Sequence, residues 1–279
     1  MEYIKLNNGV EMPQLGYGVF QVSPEECERC VSDAISVGYR MIDTAQVYRN
    51  EEGVGNALKK SGVQRSDFFI VSKIWISNYG YEKAKASIDE SLRRLQVEYI
   101  DLMLVHQPYC DYYGAYRALE EAYRTGKVRA IGVSNFQPDR FIDLASNVDV
   151  VPAINQLEMH VFCQQEQANV YLKEQGTQLM SWGPLAEGRN GIFDNPILVE
   201  VGKAHGKTVA QVALRYLIEM GAVIIPKSAR IERMKENFEI FDFSLSKAET
   251  EQIKTLDLKH SLFYDHHDAE TVKMFMGWR

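Results

Sequence analysis

Short apolar runs recur along the chain: QLGYGV (14–19), YRMID (39–43), FFIVSKI (68–74), YIDLMLVH (99–106), VRAIGVSN (128–135), VPAINQ (151–156), TQLMSW (177–182) and AVIIPK (222–227). Each has strand length and is apolar on both faces, the pattern of parallel strands covered by helices. The segments between them follow the other period. SPEECERCVSDAISVG opens on Ser-Pro with glutamates in its first turn and closes at glycine, as a helix does. NEEGVGNALKKSG opens on a capping asparagine, and YEKAKASIDESLRRLQ spaces apolar residues three and four apart on a charged surface. Strand and helix-length segment alternate eight times in 279 residues. That alternation predicts a (β/α)8 TIM barrel spanning 1–279 as a single domain, with a doubly wound open sheet as the alternative. EYIKLNNGVEMP, ahead of the first strand, reads as a β-hairpin turning at Asn8-Gly9 and placed to plug one end of the barrel.

Composition removes several function classes. With 46% hydrophobic and 25% charged residues the chain can bury a large core, and a net charge of −7 argues against nucleic acid as a partner. The N-terminus lacks the basic and apolar regions of a signal peptide, and no apolar run reaches membrane length, so a cytoplasmic protein without a membrane partner is expected. Nothing points to an obligate interface, and a monomer is expected. Cys27, Cys30, Cys110 and Cys163 are too few for a disulfide framework. The CERC pair lies inside a helical segment with no second pair to complete a zinc site, so its thiols read as helix packing. The DHHD run (265–268) offers adjacent histidines, which rarely converge on one ion, and no metal is expected.

In a parallel barrel the active site gathers at the carboxyl ends of the strands, so the polar residues closing each apolar run carry the information. They are Asp43, Lys73, His106, Ser134 with Asn135, Gln156, Trp182, and Lys227 with Ser228; Tyr48 falls in the loop after the second strand. Singly, Asp43 reads as a cap, Lys73 as a solvated strand end and His106 as a core or surface residue. Together they place an acid, a base, an imidazole and a phenol at one barrel mouth. A phenol titrates near about 10, and an ammonium beside it would lower that value. Lys73 can supply the charge, Asp43 can hold Lys73, and His106 can donate to a substrate oxygen. Such a set protonates a carbonyl oxygen while another group attacks the carbon.

No G-x-G-x-x-G follows a strand, so a Rossmann dinucleotide site is not indicated. IPKSARIERMKENF instead sets Lys227, Ser228, Arg230 and Arg233 around a helix start. Either this is an anion site, where this fold often binds phosphate, or it is a charged surface helix.

GYRMIDTAQVYRNEEGVG, IVSKIW, LMLVHQP, AIGVSNF, INQLEMH and IIPKSARIERMKENF, in this order over nearly the whole chain, resemble the aldo-keto reductases, and in particular their microbial small-aldehyde and keto-sugar branch. The resemblance implies NADPH-dependent reduction of aldehydes or ketones, with Asp43, Tyr48, Lys73 and His106 matching the catalytic tetrad. It implies Ser134, Asn135 and Gln156 on the nicotinamide carboxamide and Trp182 under the ring. Lys227, Ser228 and Arg233 would hold the 2′-phosphate, with Glu236 and Asn237 on the adenine. Phe20, Trp75 and Gln107 would line the substrate pocket. Phe20 and Gln107 stand where many relatives carry tryptophan, and the tail SLFYDHHDAETVKMFMGWR is short and able to fold over the mouth. Two rivals remain at this point: a non-catalytic NADPH-binding protein of the same fold, and a barrel aldolase using Lys73 as a Schiff base.

Overall fold

The computed structural model describes residues 1–279. An antiparallel hairpin, β1 (Tyr3–Lys5) and β2 (Glu11–Pro13), precedes eight parallel strands. These are β3 (Tyr17–Gly18), β4 (Met41–Asp43), β5 (Phe69–Ile74), β6 (Ile100–Val105), β7 (Val128–Ser134), β8 (Ile154–Glu158), β9 (Gln178–Trp182) and β10 (Val223–Ile224), paired in chain order. The ring closes between its first and last strands through a parallel bridge from Leu15 to Ile224, with Gly16 N donating to Ile224 O at 2.8 Å and Gly18 N to Pro226 O at 3.2 Å. Closure excludes the open doubly wound sheet. The seam strands are shorter than their apolar runs, partly because Pro226 has no amide to extend the ladder.

Helices follow the strands. Those used below are α1 (Pro24–Val37), α2 (Glu51–Lys60), α3 (Tyr81–Leu95), α4 (Tyr112–Arg124), α5 (Pro138–Ala145), α6 (Glu166–Glu174), α7 (Pro196–His205), α8 (Val209–Glu219), α9 (Ile231–Phe238), α10 (Lys247–Lys254) and α11 (Ala269–Gly277). The start of α1 is set by the Ser23 hydroxyl, which accepts from Glu26 N, and its end by Gly38 at φ 124, a conformation side chains avoid. Asn50 precedes α2 without capping it. Its amide instead donates to Val19 O and Val22 O at 3.0 and 3.1 Å, because its side chain turns inward to tie the β4 loop to the β3 loop.

Two apolar clusters stabilise the fold. The larger lies between strands and helices; the smaller fills the barrel with Met41, Phe69, Val71, Leu102, Ile154 and Met180. Leu6 and Met12 of the hairpin join the smaller cluster, and Asn8 Nδ2 donates to Arg129 O at 2.9 Å, so the hairpin seals the amino end. Strand alternation then decides where the polar residues go. Continuing the inward rows by two residues leads from Met41 to Asp43, from Phe69 and Val71 to Lys73, from Ile154 to Gln156 and from Met180 to Trp182. The top layer of the barrel interior is therefore polar and faces the carboxyl-end mouth. No helix is long and apolar enough to cross a membrane.

Candidate active site

A cavity of about 1370 Å³ opens at that mouth. Asp43, Tyr48, His106, Gln156, Trp182 and Lys227 all line it, and so do Phe20, Trp75, Gln107, Ser134 and Asn135. Lys73 lies beneath, fully buried, with Nζ 2.6 Å from Asp43 Oδ1, 2.9 Å from Thr44 O and 3.5 Å from Tyr48 Oη. Tyr48 sits on a short 3-10 turn, Gln46–Tyr48, ended by Arg49 in the left-handed region at φ 57. Asn50 braces this turn, accepting from Thr44 Oγ1 at 2.8 Å. The acid, ammonium and phenol thus form a chain running from the barrel interior to the cavity.

The electrostatics differ in one respect from the expectation that Lys73 lowers the Tyr48 pKa. Burial, and next the charge of Asp43, hold the phenol well above its ordinary value. The ammonium, paired with Asp43 and Thr44 O, does not outweigh burial and the carboxylate in the resting enzyme. Tyr48 is therefore a protonated donor at neutral pH. Burial also lowers the Lys73 pKa, with Asp43 opposing the shift. His106 is pushed well below 6.5 by burial and then by Lys73, so its imidazole is neutral. Its Nδ1 is buried without a partner, which leaves Nε2 as the ring nitrogen able to serve the cavity.

The residues expected around a nicotinamide come together and are tied to this chain. Gln156 Nε2 donates to Asp43 Oδ2 at 2.9 Å, Ser134 Oγ to Gln156 O at 3.0 Å, and Asn135 Nδ2 to His106 O at 3.1 Å. Trp182 Nε1 donates to Asn135 Oδ1 at 2.8 Å. At the far end, Lys227 and Arg233 are exposed and have no acidic partner, whereas Arg230 pairs weakly with Glu232 at 3.8 Å. Ser228 and Asn237 are buried beside them, the Ser228 hydroxyl accepting from Arg230 N at 3.1 Å. Glu236 Oε1 accepts from Thr208 Oγ1 at 2.6 Å.

On the substrate side, Phe20 is 48% exposed at the rim and packs on Tyr48 at 5.1 Å, and Trp75 meets His106 edge-on at 5.1 Å. The tail crosses the mouth: Trp75 Nε1 donates to Trp278 O at 3.0 Å, and Phe263, Tyr264, His266 and Phe275 line the cavity. Sequence reasoning did not find the groups that hold it there. Glu158, at the end of β8, accepts from Leu262 N at 2.7 Å, from His160 Nε2 at 3.0 Å and from the Ser261 hydroxyl. Arg189 donates to Leu262 O at 2.7 Å and lies 4.0 Å over the Phe263 ring, joining the loop after β9 to the tail. Gln46 was also missed; its Oε1 accepts from Trp75 N at 3.0 Å. Glu158 continues the same alternation that singles out Gln156, so that signal was available for it.

A closed (β/α)8 barrel with a buried Lys-Asp pair, a protonated phenol and a neutral imidazole at one mouth has the equipment of a carbonyl-protonating oxidoreductase. Residues 12–258 match the Aldo/keto reductase family, and the chain belongs to it. A glyoxal reductase of Bacillus subtilis is 46% identical over 256 residues, 91% of this chain and 92% of its own. A methylglyoxal reductase of Escherichia coli is 42% identical over 257 residues, covering 91% and 93%. Among solved structures, an aldo-keto reductase from a deep-sea metagenome library superposes with a TM-score of 0.93 at 38% identity, covering 95% of this chain and 99% of its own. A Bombyx mori aldo-keto reductase in complex with NADP gives 0.89 at 31% identity, covering 98% and 96%. The protein is an aldo-keto reductase.

Proposed function

We propose that this enzyme reduces small aldehydes and ketones to alcohols with NADPH, using Asp43, Tyr48, Lys73 and His106. The observation that carries the reading is the chain from Asp43 through Lys73 to Tyr48, with the phenol and His106 lining one cavity. The chain's residues fit the cofactor: Ser134, Asn135 and Gln156 supply amide and hydroxyl groups, Trp182 an aromatic face, and Lys227 and Arg233 two unpaired cations. A cationic end favours a 2′-phosphate, with Ser228, Glu236 and Asn237 beside it. When bound, the cofactor supplies a hydride for the carbonyl carbon.

The protein's part is proton delivery and position. His106 donates from Nε2 to the carbonyl oxygen and polarises it. Tyr48 releases its proton from Oη to that oxygen as negative charge develops there, and Lys73 stabilises the phenolate left behind. Asp43 and Thr44 O hold the ammonium in place, and Gln156 holds Asp43. The tail, through Phe263, Tyr264 and Phe275, lines the mouth together with Trp75 and Phe20.

The test follows NADPH absorbance with a panel of small aldehydes, dicarbonyls and keto sugars, wild type beside Tyr48→Phe. Turnover in the wild type and its loss in the variant, with NADPH binding retained, is the expected result. A fully active Tyr48→Phe enzyme sinks the assignment. Tight NADPH binding without turnover on any carbonyl points to a non-catalytic binding protein instead.

A further inference from the structure

Tyr17 of β3 and Tyr39, two residues before β4, are each 1% exposed, and their rings meet at 5.8 Å. They belong to the apolar layer between strands and helices, together with Cys27 and Cys30 of α1, where packing alone asks only for a ring. Each hydroxyl has a backbone partner, and both partners lie in the segment that carries Lys227, Ser228 and Arg233. Tyr17 Oη donates to Ser228 O at 2.6 Å, and Tyr39 Oη donates to Met234 O at 3.0 Å, inside α9. Burial holds both phenols well above their ordinary range, so each keeps its proton. The Cys30 thiol beside Tyr17 is also kept protonated by burial and is the weaker acceptor, which leaves the Ser228 carbonyl as the partner of the Tyr17 hydroxyl.

The Ser228 contact decides where an amide points. The chain has no cis peptide bond, and in a trans peptide the C=O and the following N–H point to opposite sides of one plane. Anchoring Ser228 O inward on Tyr17 therefore turns the Ala229 N–H outward. Ala229 is exposed, and its N–H makes no hydrogen bond within the protein. It stands two residues after Lys227 and two before the start of α9, whose first turn has no side-chain cap. An outward N–H flanked in sequence by the unpaired cations Lys227 and Arg233 is a donor for an anion. On α9 itself, Tyr39 reaches the carbonyl of the residue after Arg233, and its ring meets Phe238 edge-on at 5.0 Å, so the helix bearing Arg233 is tied at two points to one side chain.

We propose that Tyr17 is a positioning residue for the cofactor's 2′-phosphate: by holding Ser228 O it aims the Ala229 N–H at that group, and Tyr39 assists by fixing the helix that carries Arg233. Neither phenol touches the cofactor; both act through the backbone they hold. The discrimination between NADPH and NADH is then set partly from the buried layer behind the site, beyond the two cations themselves. This inference rests on the cofactor reading above.

The test measures dissociation constants of the whole enzyme for NADPH and for NADH by quenching of its tryptophan fluorescence, together with kcat and KM for NADPH at a saturating aldehyde. Wild type should bind NADPH more tightly than NADH. Tyr17→Phe keeps the ring and removes the hydroxyl; it should weaken NADPH by roughly tenfold and NADH by less than about twofold, with the steady-state loss in KM for NADPH rather than in kcat. Tyr39→Phe should shift the ratio of the two constants in the same direction, and it carries the test if Tyr17→Phe does not fold. A merely structural role for the hydroxyls would lower the melting temperature and weaken both cofactors alike, or neither. An unchanged ratio in the folded variant overturns the inference and leaves the cofactor reading standing. Wild type with no preference for NADPH over NADH overturns both.

Discussion

Replacing Lys73 by methionine would leave the Asp43 carboxylate in the barrel interior with Gln156 Nε2, at 2.9 Å, as its remaining side-chain donor. Both partners of the ion pair are almost wholly buried, 0% and 2% exposed at 2.6 Å. At an effective dielectric near 20 the gross attraction is about 6 kcal/mol, most of it offset by the cost of taking both charges out of water. Removing one partner keeps the desolvation cost of the other, so Lys73→Met should lose about 3–5 kcal/mol. Against a total of about 5–15 kcal/mol that is a large fraction. The double variant Lys73→Met/Asp43→Asn removes the stranded charge and should regain most of the loss. Urea denaturation of wild type, both single variants and the double variant measures the coupling directly. The reasoning fails if Lys73→Met is within about 1 kcal/mol of wild type, or if the double variant is no more stable than Lys73→Met.

Three further outcomes are expected. Lys227→Ala with Arg233→Ala should weaken NADPH by roughly tenfold or more and NADH by much less, because both cations are unpaired; equal losses would contradict a 2′-phosphate site. Gly55→Ala should destabilise by roughly 1–3 kcal/mol despite the better helix propensity of alanine, since its Cβ would fall 2.6 Å from Leu95 O at the close approach of α2 and α3; a melting temperature equal to or above wild type would refute this. His266 is held near about 4 by burial, with Glu158 opposing less strongly, against about 6.5 unfolded. Between those values the unfolded chain binds more protons, so the contribution of His266 is present above the upper value and falls away as the pH drops toward the lower. The stability gap between wild type and His266→Phe should therefore shrink on acidification, and a constant gap would count against a buried neutral imidazole.

Much of the fold was legible because it depends on short-range pattern. The apolar runs and their bounding turns mark each barrel strand, and the residue two positions beyond the last inward apolar side chain is where Asp43, Lys73, Gln156 and Trp182 stand. A period of two residues is local information, whereas closure of the ring is decided by the pairing of its first and last strands, Leu15 with Ile224. The family was legible for the same reason, since its motifs sit at those strand ends. Asn50 misled because a residue before a helix ordinarily caps it, whereas here its amide satisfies carbonyls of the preceding loop.

The tertiary structure decided the rest, through contacts between distant segments and through sums of opposing terms. Glu158 meets Ser261 and Leu262, and Gln107 meets His266, across separations in sequence of 103, 104 and 159 residues. No local period encodes such pairings. The protonation of Tyr48 is likewise a balance: the sequence supplies an ammonium that lowers the phenol's pKa and a carboxylate that raises it, and only burial and distance settle the sign. The chain's order of residues determined which groups reach the barrel mouth; three-dimensional packing determined which of their charges and donors are already spent on one another and which are left to meet a substrate.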